Sequence, residues 1–243
     1  AWRKPIEGGS VLDLTCGLGI DTLSLAKRFR RVVAVERNGV LAEIVRYNLS
    51  LMGVDNVSVV TASAEEYVAE CCDHFDWVYI DPDRRSDIGR KLVRVEDCSP
   101  DVVALMPTLQ SVADKICIKC SPLFDVDEAF RLFGNCSVEC VSLGGESKEV
   151  NIYLNVSEGK TVTAVAIGVG EFSCSADERN NAKWSGLPSD FSHYRYITLP
   201  DVSLQHTRMV AVSFEGKCDV WSNNGVALSE QRPKGVLGRC FDR

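Results

Sequence analysis

The stretch Val11-Leu-Asp-Leu-Thr-Cys-Gly-Leu-Gly-Ile-Asp-Thr22 decides the fold of this 243-residue chain. An apolar run ends in Asp13, the backbone turns through Gly17 and Gly19, and a helical pattern begins at Ile20. A strand, a glycine turn and a helix in that order build a nucleotide pocket at the carboxyl end of the first strand of an α/β protein. Glycine suits the sharp turn and lets a ligand approach the backbone without meeting a Cβ. The helix start offers free N–H groups to the pocket. Glu36 ends the next apolar strand, 17 residues after Gly19, where a carboxylate reads a ribose diol.

The dinucleotide fingerprint needs a third glycine, and Thr22 stands in its place. Asp21 sits where a pyrophosphate would want the positive end of the helix. A carboxylate there repels phosphate and suits a cation, and Asp13 and Glu36 point the same way. S-adenosylmethionine (SAM) has no phosphate and carries a sulfonium, an ammonium group and a ribose. The pattern D-x-x-x-G-x-G, followed by an acidic residue closing the second strand, resembles class I SAM-dependent methyltransferases. The resemblance implies an α/β fold: a Rossmann-like, seven-stranded, mostly parallel sheet with SAM as cofactor. It also implies cofactor contacts from Asp13, Thr15, Cys16, Gly17, Leu18, Gly19, Asp21 and Thr22, from Glu36 and Arg37, from Ser63, Ala64 and Glu65, and from Asp81. Many relatives place an Asp after the third strand to contact the adenine amino group. Ser63 stands there in this chain, which passes that contact to backbone N–H groups and Glu65. Glu65 equally suits the first turn of a helix. A nicotinamide-dependent dehydrogenase is the rival that a lone G-x-G leaves open.

Composition is that of a globular protein, 45% hydrophobic and 25% charged. No apolar run approaches the roughly 18 residues needed to cross a bilayer, and no signal peptide opens the chain. The start Ala1-Trp-Arg-Lys-Pro5 reads as the interior of a longer protein. The net charge of −7 argues against broad, non-specific nucleic-acid binding. The 11 cysteines are scattered and odd in number, as expected for buried free thiols in a reducing cytoplasm. Cys117 and Cys120 form a C-x-x-C on a strand, where residues three apart face opposite sides. With three histidines in all, no metal site is expected.

Along the chain, strands are expected at Val11–Leu14, Val32–Glu36, Val57–Val60, Phe75–Ile80 and Ile116–Lys119. Helices are expected at Ile20–Phe29, Val40–Met52, Ala64–Cys72, from Pro100 to Val112, and at Val126–Phe133. Val138–Leu143 and Val150–Val156 close the sheet as a pair joined by Gly144-Gly145. Thr161–Val169 reads as a further strand at the sheet edge or in a hairpin. The polar run Ser173–Pro188 reads as a loop. His193–Ile197, Val202–Phe214, Asp219–Ser222 and Val226–Leu228 suggest a small β-α-β-β unit, and Cys240–Arg243 shows no terminal element. The expected organisation is a methyltransferase domain over residues 1–172, a linker over 173–189 and a small α+β domain over 190–243.

Chemistry is expected at Asp81-Pro82-Asp83-Arg84-Arg85, which ends the fourth strand. Amino-methylating relatives carry Asp/Asn-Pro-Pro-aromatic here, and their oxygens aim the lone pair of the target amine at the methyl group. Methyl transfer is an in-line displacement on an activated sulfonium, so orientation can supply most of the catalysis. Asp81, Pro82 and Asp83 are therefore the candidate catalytic residues. Asp83 replaces the second proline and Arg84 the aromatic residue. Arg84 and Arg85 could grip a phosphate or stack on a base, and Lys119 is a third candidate substrate contact. The alternative is structural, with Arg84 and Arg85 paired to Asp83, Asp87 or Glu96.

These motifs, with Ala34-Val-Glu-Arg-Asn38, Lys119-Cys-Ser-Pro122 and Gly145-Glu-Ser-Lys-Glu149, resemble bacterial methyltransferases that carry small ferredoxin-like and C-terminal THUMP-like domains. The resemblance implies an RNA substrate, captured by a domain outside this chain, with guanine N2 among the acceptors. Cys120-Ser121 also resembles the nucleophile motif of RNA cytosine-C5 methyltransferases. The Pro-Cys those enzymes carry after strand four is Pro82-Asp83 here, so Cys120 reads as a buried thiol whose replacement by Ala leaves activity intact. A small-molecule or protein methyltransferase, and a SAM-binding module without catalysis, are the other readings.

Overall fold

Short β-branched runs alternating with amphipathic helices fold here as an α/β sheet, described in a computed structural model for residues 6–83, 98–222 and 225–242. Arg84 and Arg85 lie outside the described residues. The chain divides into two compact units, Ala1–Cys120 with Tyr153–Asn155, and Ser121–Ile152 with Val156–Arg243.

The first unit contains β1 (Gly8–Asp13), α1 (Ile20–Ala26), β2 (Phe29–Glu36), α2 (Gly39–Leu51), β3 (Val57–Thr61), α3 (Ala64–Glu70), β4 (Phe75–Ile80), α4 (Val102–Val112) and β5 (Ala113–Cys120). Its strands pair in parallel in the order β3-β2-β1-β4-β5. The chain winds to one side of β1 through β2 and β3, then returns to its other side for β4 and β5. That reversal puts a crevice at the carboxyl ends of β1 and β4, where open α/β sheets bind ligands. Val32, Ala34 and Val35 of β2 are buried, as expected for a strand covered on both faces. Cys16, Ala34, Val45 and Leu49 pack together, which presses α2 onto the sheet behind the glycine loop.

Helix α2 starts at Asn38, whose side chain accepts from the Val40 and Leu41 amides, and Gly53 follows its end at φ +65°. Helix α4 starts later than expected. Asp101 caps it through the Val103 and Ala104 amides, so Pro100 lies outside the helix and not in its first turn.

The second unit contains α5 (Val126–Phe133), β6 (Cys136–Leu143), β7 (Glu146–Leu154), β8 (Thr161–Ala166), β9 (Gly170–Ser175), α6 (Ala176–Asn181), β10 (Tyr196–Pro200), α7 (Val202–Thr207), α8 (Val210–Ser213), β11 (Asp219–Val220), β12 (Ala227–Ser229) and β13 (Gly238–Asp242); the last residues of β7 belong to the first unit. Among the described residues the large sheet has nine strands, in the order β3-β2-β1-β4-β5-β7-β6-β8-β9, against the seven that the sequence leads one to expect. The extra strands arise because Thr161–Ala166 is apolar enough to pair with β6 in parallel. It then turns back near Gly168 (φ +79°) into antiparallel β9.

Helix α6 falls where a loop was expected. Ser175 and Glu178 form a reciprocal capping box that starts this short polar helix. The small C-terminal sheet is antiparallel, in the order β11-β12-β10-β13. The expected β-α-β-β unit is present as β10 to β12, with its helix broken at Arg208 (φ +54°). A fourth strand, β13, runs through the segment read as having no terminal element. Gly238 opens β13 because a Cβ there would meet the Leu199 carbonyl oxygen at 2.5 Å.

Candidate functional site

The glycine loop is tied into both neighbours of β1. The Leu14 amide donates to Tyr79 O (3.0 Å), and the Cys16 amide donates to Val35 O (3.0 Å). Gly17 and Gly19 have φ of +55° and +80°, and a Cβ on Gly19 would meet Val45 Cγ1 at 3.0 Å. The loop thus needs glycine for its backbone, and at residue 19 for α2 as well.

Glu36 is 9% exposed and holds the turn from below. Its Oε2 accepts from the Gly17 amide and its Oε1 from the Asn38 amide, each at 2.8 Å. Thr15 links the loop to β4, because its Oγ1 accepts from the Asp81 amide (2.7 Å). One hydroxyl therefore connects the two motifs that the sequence singled out.

The cavity at this crevice has a volume of about 800 Å³, within the usual size of a small-molecule site. Among the expected residues, Thr15, Gly17, Glu36, Arg37, Ser63, Ala64, Glu65, Asp81, Pro82 and Asp83 line it. Asp13, Cys16, Leu18, Gly19, Asp21 and Thr22 are not among its lining residues. Leu14, Val35, Asn38, Leu41, Ser99 and Pro100 line it without having been foreseen. Asn38 had a sequence signal, since an Asn just before a helical run is a cap. Ser99 and Pro100 had none, because a fold contact brings them there.

Asp13 is fully buried below the loop. Its Oδ1 accepts from the Thr15 amide (3.1 Å) and its Oδ2 from Thr22 Oγ1 (2.6 Å). Burial raises its carboxyl to about 7, against these two hydrogen bonds, which act to lower it. Cys16 Sγ lies 3.3 Å from Thr22 Oγ1, and burial, with the nearby Asp13 charge, pushes its thiol up to about 12. Both side chains brace the loop from within.

Asp21 has partners within the protein that no spacing announces. Its carboxylate, read as facing a bound cation, accepts from Tyr79 OH (2.7 Å) and Lys119 Nζ (2.9 Å) on Oδ2. Lys119 also contacts Asp81 Oδ2 at 2.8 Å. Burial acts to lower the Lys119 ammonium, but the Asp81 and Asp21 carboxylates outweigh it and hold the group well above its ordinary value. The cation that answers Asp21 is thus a side chain of the protein. Burial, followed by the Asp21 charge, likewise raises the Tyr79 phenol far above its usual range. The pairing of β4 with β5 ends at Ile80↔Ile118, so Asp81 and Lys119 each follow the last paired residue of their strand. Cys120 is 5% exposed.

Ser63 caps α3, its Oγ accepting from the Glu66 amide (3.1 Å) while Glu66 accepts from the Ser63 amide (2.9 Å). The first turn of α3 therefore presents Ala64 and Glu65 to the cavity in a fixed orientation. Among the described residues no group of His, Cys, Asp and Glu is placed to hold a metal, and no helix is long and apolar enough to cross a membrane.

The sequence model of the family described as tRNA (Uracil-5-)-methyltransferase matches residues 4–81, from β1 through the end of β4. A tRNA/tmRNA (uracil-C(5))-methyltransferase of Photobacterium profundum is 42% identical over 59 residues, 24% of this chain and 16% of that protein. A 23S rRNA (uracil(1939)-C(5))-methyltransferase of Vibrio parahaemolyticus is 33% identical over 115 residues, 42% of this chain and 26% of that protein. The crystal structure of a presumed methyltransferase from Porphyromonas gingivalis superposes with a TM-score of 0.83 at 27% identity, covering 97% of this chain and 61% of that one. The chain has the class I SAM-dependent methyltransferase fold. In the curated relatives it spans about a quarter of their length or less. The named relatives act on uracil C5, in contrast to the guanine N2 acceptor expected from the sequence. The matched segment carries the Thr15, Glu36 and Ser63–Glu65 side of the cavity and stops at Asp81.

Proposed function

We propose that this chain is the catalytic part of a SAM-dependent methyltransferase that modifies a base of RNA, with uracil C5 as the acceptor. The observation that carries the reading is one cavity that joins the Gly17–Glu36 floor to the Asp81-Pro82-Asp83 rim, in the segment matched to uracil-5 methyltransferases. The cavity fits the cofactor. Glu36, whose oxygens each keep a lone pair beyond the Gly17 and Asn38 amides, can receive the ribose diol, the Ser63–Glu65 turn the adenine, and Thr15 and Gly17 the backbone-facing side of the ligand. When bound, SAM supplies a methyl group on a sulfonium, already activated for in-line displacement. The protein's own work is to hold the acceptor in line, which can supply many orders of magnitude in rate.

Lys119 fixes Asp81 at the rim, and its ammonium stays protonated between two carboxylates. It therefore serves as a donor toward a base carbonyl and not as a proton acceptor. A pyrimidine C5 lacks the electron density to attack until a nucleophile adds to C6. Cys120, next to the Lys119 that contacts Asp81, is the thiol proposed for that addition: as its thiolate it bonds to C6, C5 takes the methyl group from the sulfonium, and loss of the C5 proton to water expels the thiolate and restores the ring. RNA capture by a domain outside this chain completes the proposal.

The near-complete burial of Cys120 favours a second reading, in which an exocyclic amine is presented to Asp81 and Pro82 and no thiol takes part. One experiment decides between them. Methyl transfer from labelled SAM to total RNA is measured for wild type and Cys120→Ala, with the modified nucleoside identified by mass spectrometry. The uracil reading expects 5-methyluridine and loss of at least a hundredfold in rate with Cys120→Ala. Full activity of Cys120→Ala together with an N-methylated base establishes the amine reading. Label in protein or metabolites and none in RNA overturns both.

A further inference from the structure

We propose that Arg37 is a positioning residue for methyl transfer, clamping the Asp83–Ser99 pair that ends the acceptor motif. The inference rests on the reading of the cavity as a methyltransferase site. Arg37 follows Glu36 directly, and both Glu36 oxygens are fixed to backbone amides, those of Gly17 and Asn38. The backbone of Arg37 is thereby set by the glycine loop. Its side chain leaves the end of β2 and reaches the opposite rim of the cavity. There Nη1 donates to Ser99 Oγ (2.9 Å) and Nη2 lies 3.9 Å from Asp83 Oδ2.

Asp83 and Ser99 form an isolated antiparallel bridge. The Asp83 amide donates to Ser99 O (2.7 Å) and the Ser99 amide to Asp83 O (3.1 Å). The bridge lies outside the sheet ladders, so side-chain contacts to its two residues help to set its geometry. Arg37 touches one residue on each side of this bridge and so cross-links it from the strand that carries Glu36. The guanidinium donates one hydrogen bond, to Ser99 Oγ, and keeps its other arm in ion-pair range of Asp83, a fork that a lysine point charge does not offer. The ion pair itself is half-exposed on both sides and adds little stability. Its value is geometric. Asp83 is two residues from Asp81, and a displacement of about 1 Å at a reacting centre can cost up to about a hundredfold in rate.

Arg37 also lines the cavity, so a direct contact with the cofactor is the competing role. The two roles separate in Arg37→Met and Arg37→Lys. Positioning expects amide hydrogen exchange at Asp83 and Ser99 to speed up by about tenfold in Arg37→Met. It also expects kcat for methyl transfer to RNA to fall about tenfold, and the Kd for SAM to stay within about twofold. Arg37→Lys should recover less than half of the loss, since it cannot hold both acceptors. Unchanged exchange at both amides, or a tenfold weaker Kd for SAM with exchange unchanged, overturns the inference. If the wild type transfers no methyl group, the functional reading and the catalytic half of this inference fall together, while the exchange rates still decide whether Arg37 holds the bridge.

Discussion

Asp13 gives the glycine loop a pH dependence of known sign. Its carboxyl is fully buried and raised from an ordinary 3.8 to about 7, chiefly by desolvation. Between those values the folded protein holds a proton that the unfolded chain has released. Stability then falls as pH rises, by about 1.4 kcal/mol per pH unit. Across the window of roughly three units the loss amounts to about 4 kcal/mol, an upper bound for one group. The contribution is fully present below pH 3.8 and gone above about pH 7.

Asp13→Asn keeps the shape, accepts from the Thr15 amide and can donate to Thr22 Oγ1, but it does not ionise. Urea unfolding of wild type and Asp13→Asn at pH 5, 6, 7 and 8 isolates this group, because other titrating groups cancel in the difference. The variant should gain on the wild type steadily from pH 5 to 7 and then level off. A difference that is flat across this range, or that shrinks with rising pH, refutes the assignment. With two compact units in the chain, unfolding followed by near-ultraviolet and far-ultraviolet signals must coincide before a single free energy is extracted.

Other perturbations test the rest of the frame. Lys119→Met leaves Asp21 and Asp81 facing each other without their shared cation, and should cost about 2 kcal/mol in thermal or urea unfolding. Gly19→Ala forces a residue at φ +80° and a Cβ 3.0 Å from Val45. It should cost about 1–3 kcal/mol, and adding Val45→Ala should relieve only the steric part, as a double-mutant cycle would measure. Ser175→Ala removes the α6 cap and should cost about 1 kcal/mol, with faster amide exchange confined to the first turn of that helix.

Much of the first unit was legible because local chemistry demanded it. Gly17 and Gly19 sit at positive φ, which glycine alone adopts at no cost, and the strand bounds of Phe75–Ile80 follow from an apolar run interrupted only by Asp76. The pairing of Asp21 was not legible for the opposite reason. Its partner Lys119 is 98 residues away, and no spacing rule reaches across two strands. Helix α6 was passed over because Ala176–Asn181 is polar, although its Ser-x-x-Glu signature was present. The ninth strand was missed because Gly170–Ser175 has no clean alternation of its own and depends on pairing with β8.

The Thr15 hydroxyl, which accepts from the Asp81 amide, ties the length of the glycine turn to the end of β4. An extra residue between Asp13 and Gly17 would carry that hydroxyl away from the Asp81 amide and the Gly17 amide away from Glu36 together. Insertions should therefore be tolerated far less in this turn than at Gly53 or at Gly144-Gly145, where nothing lies within 4 Å of an added Cβ.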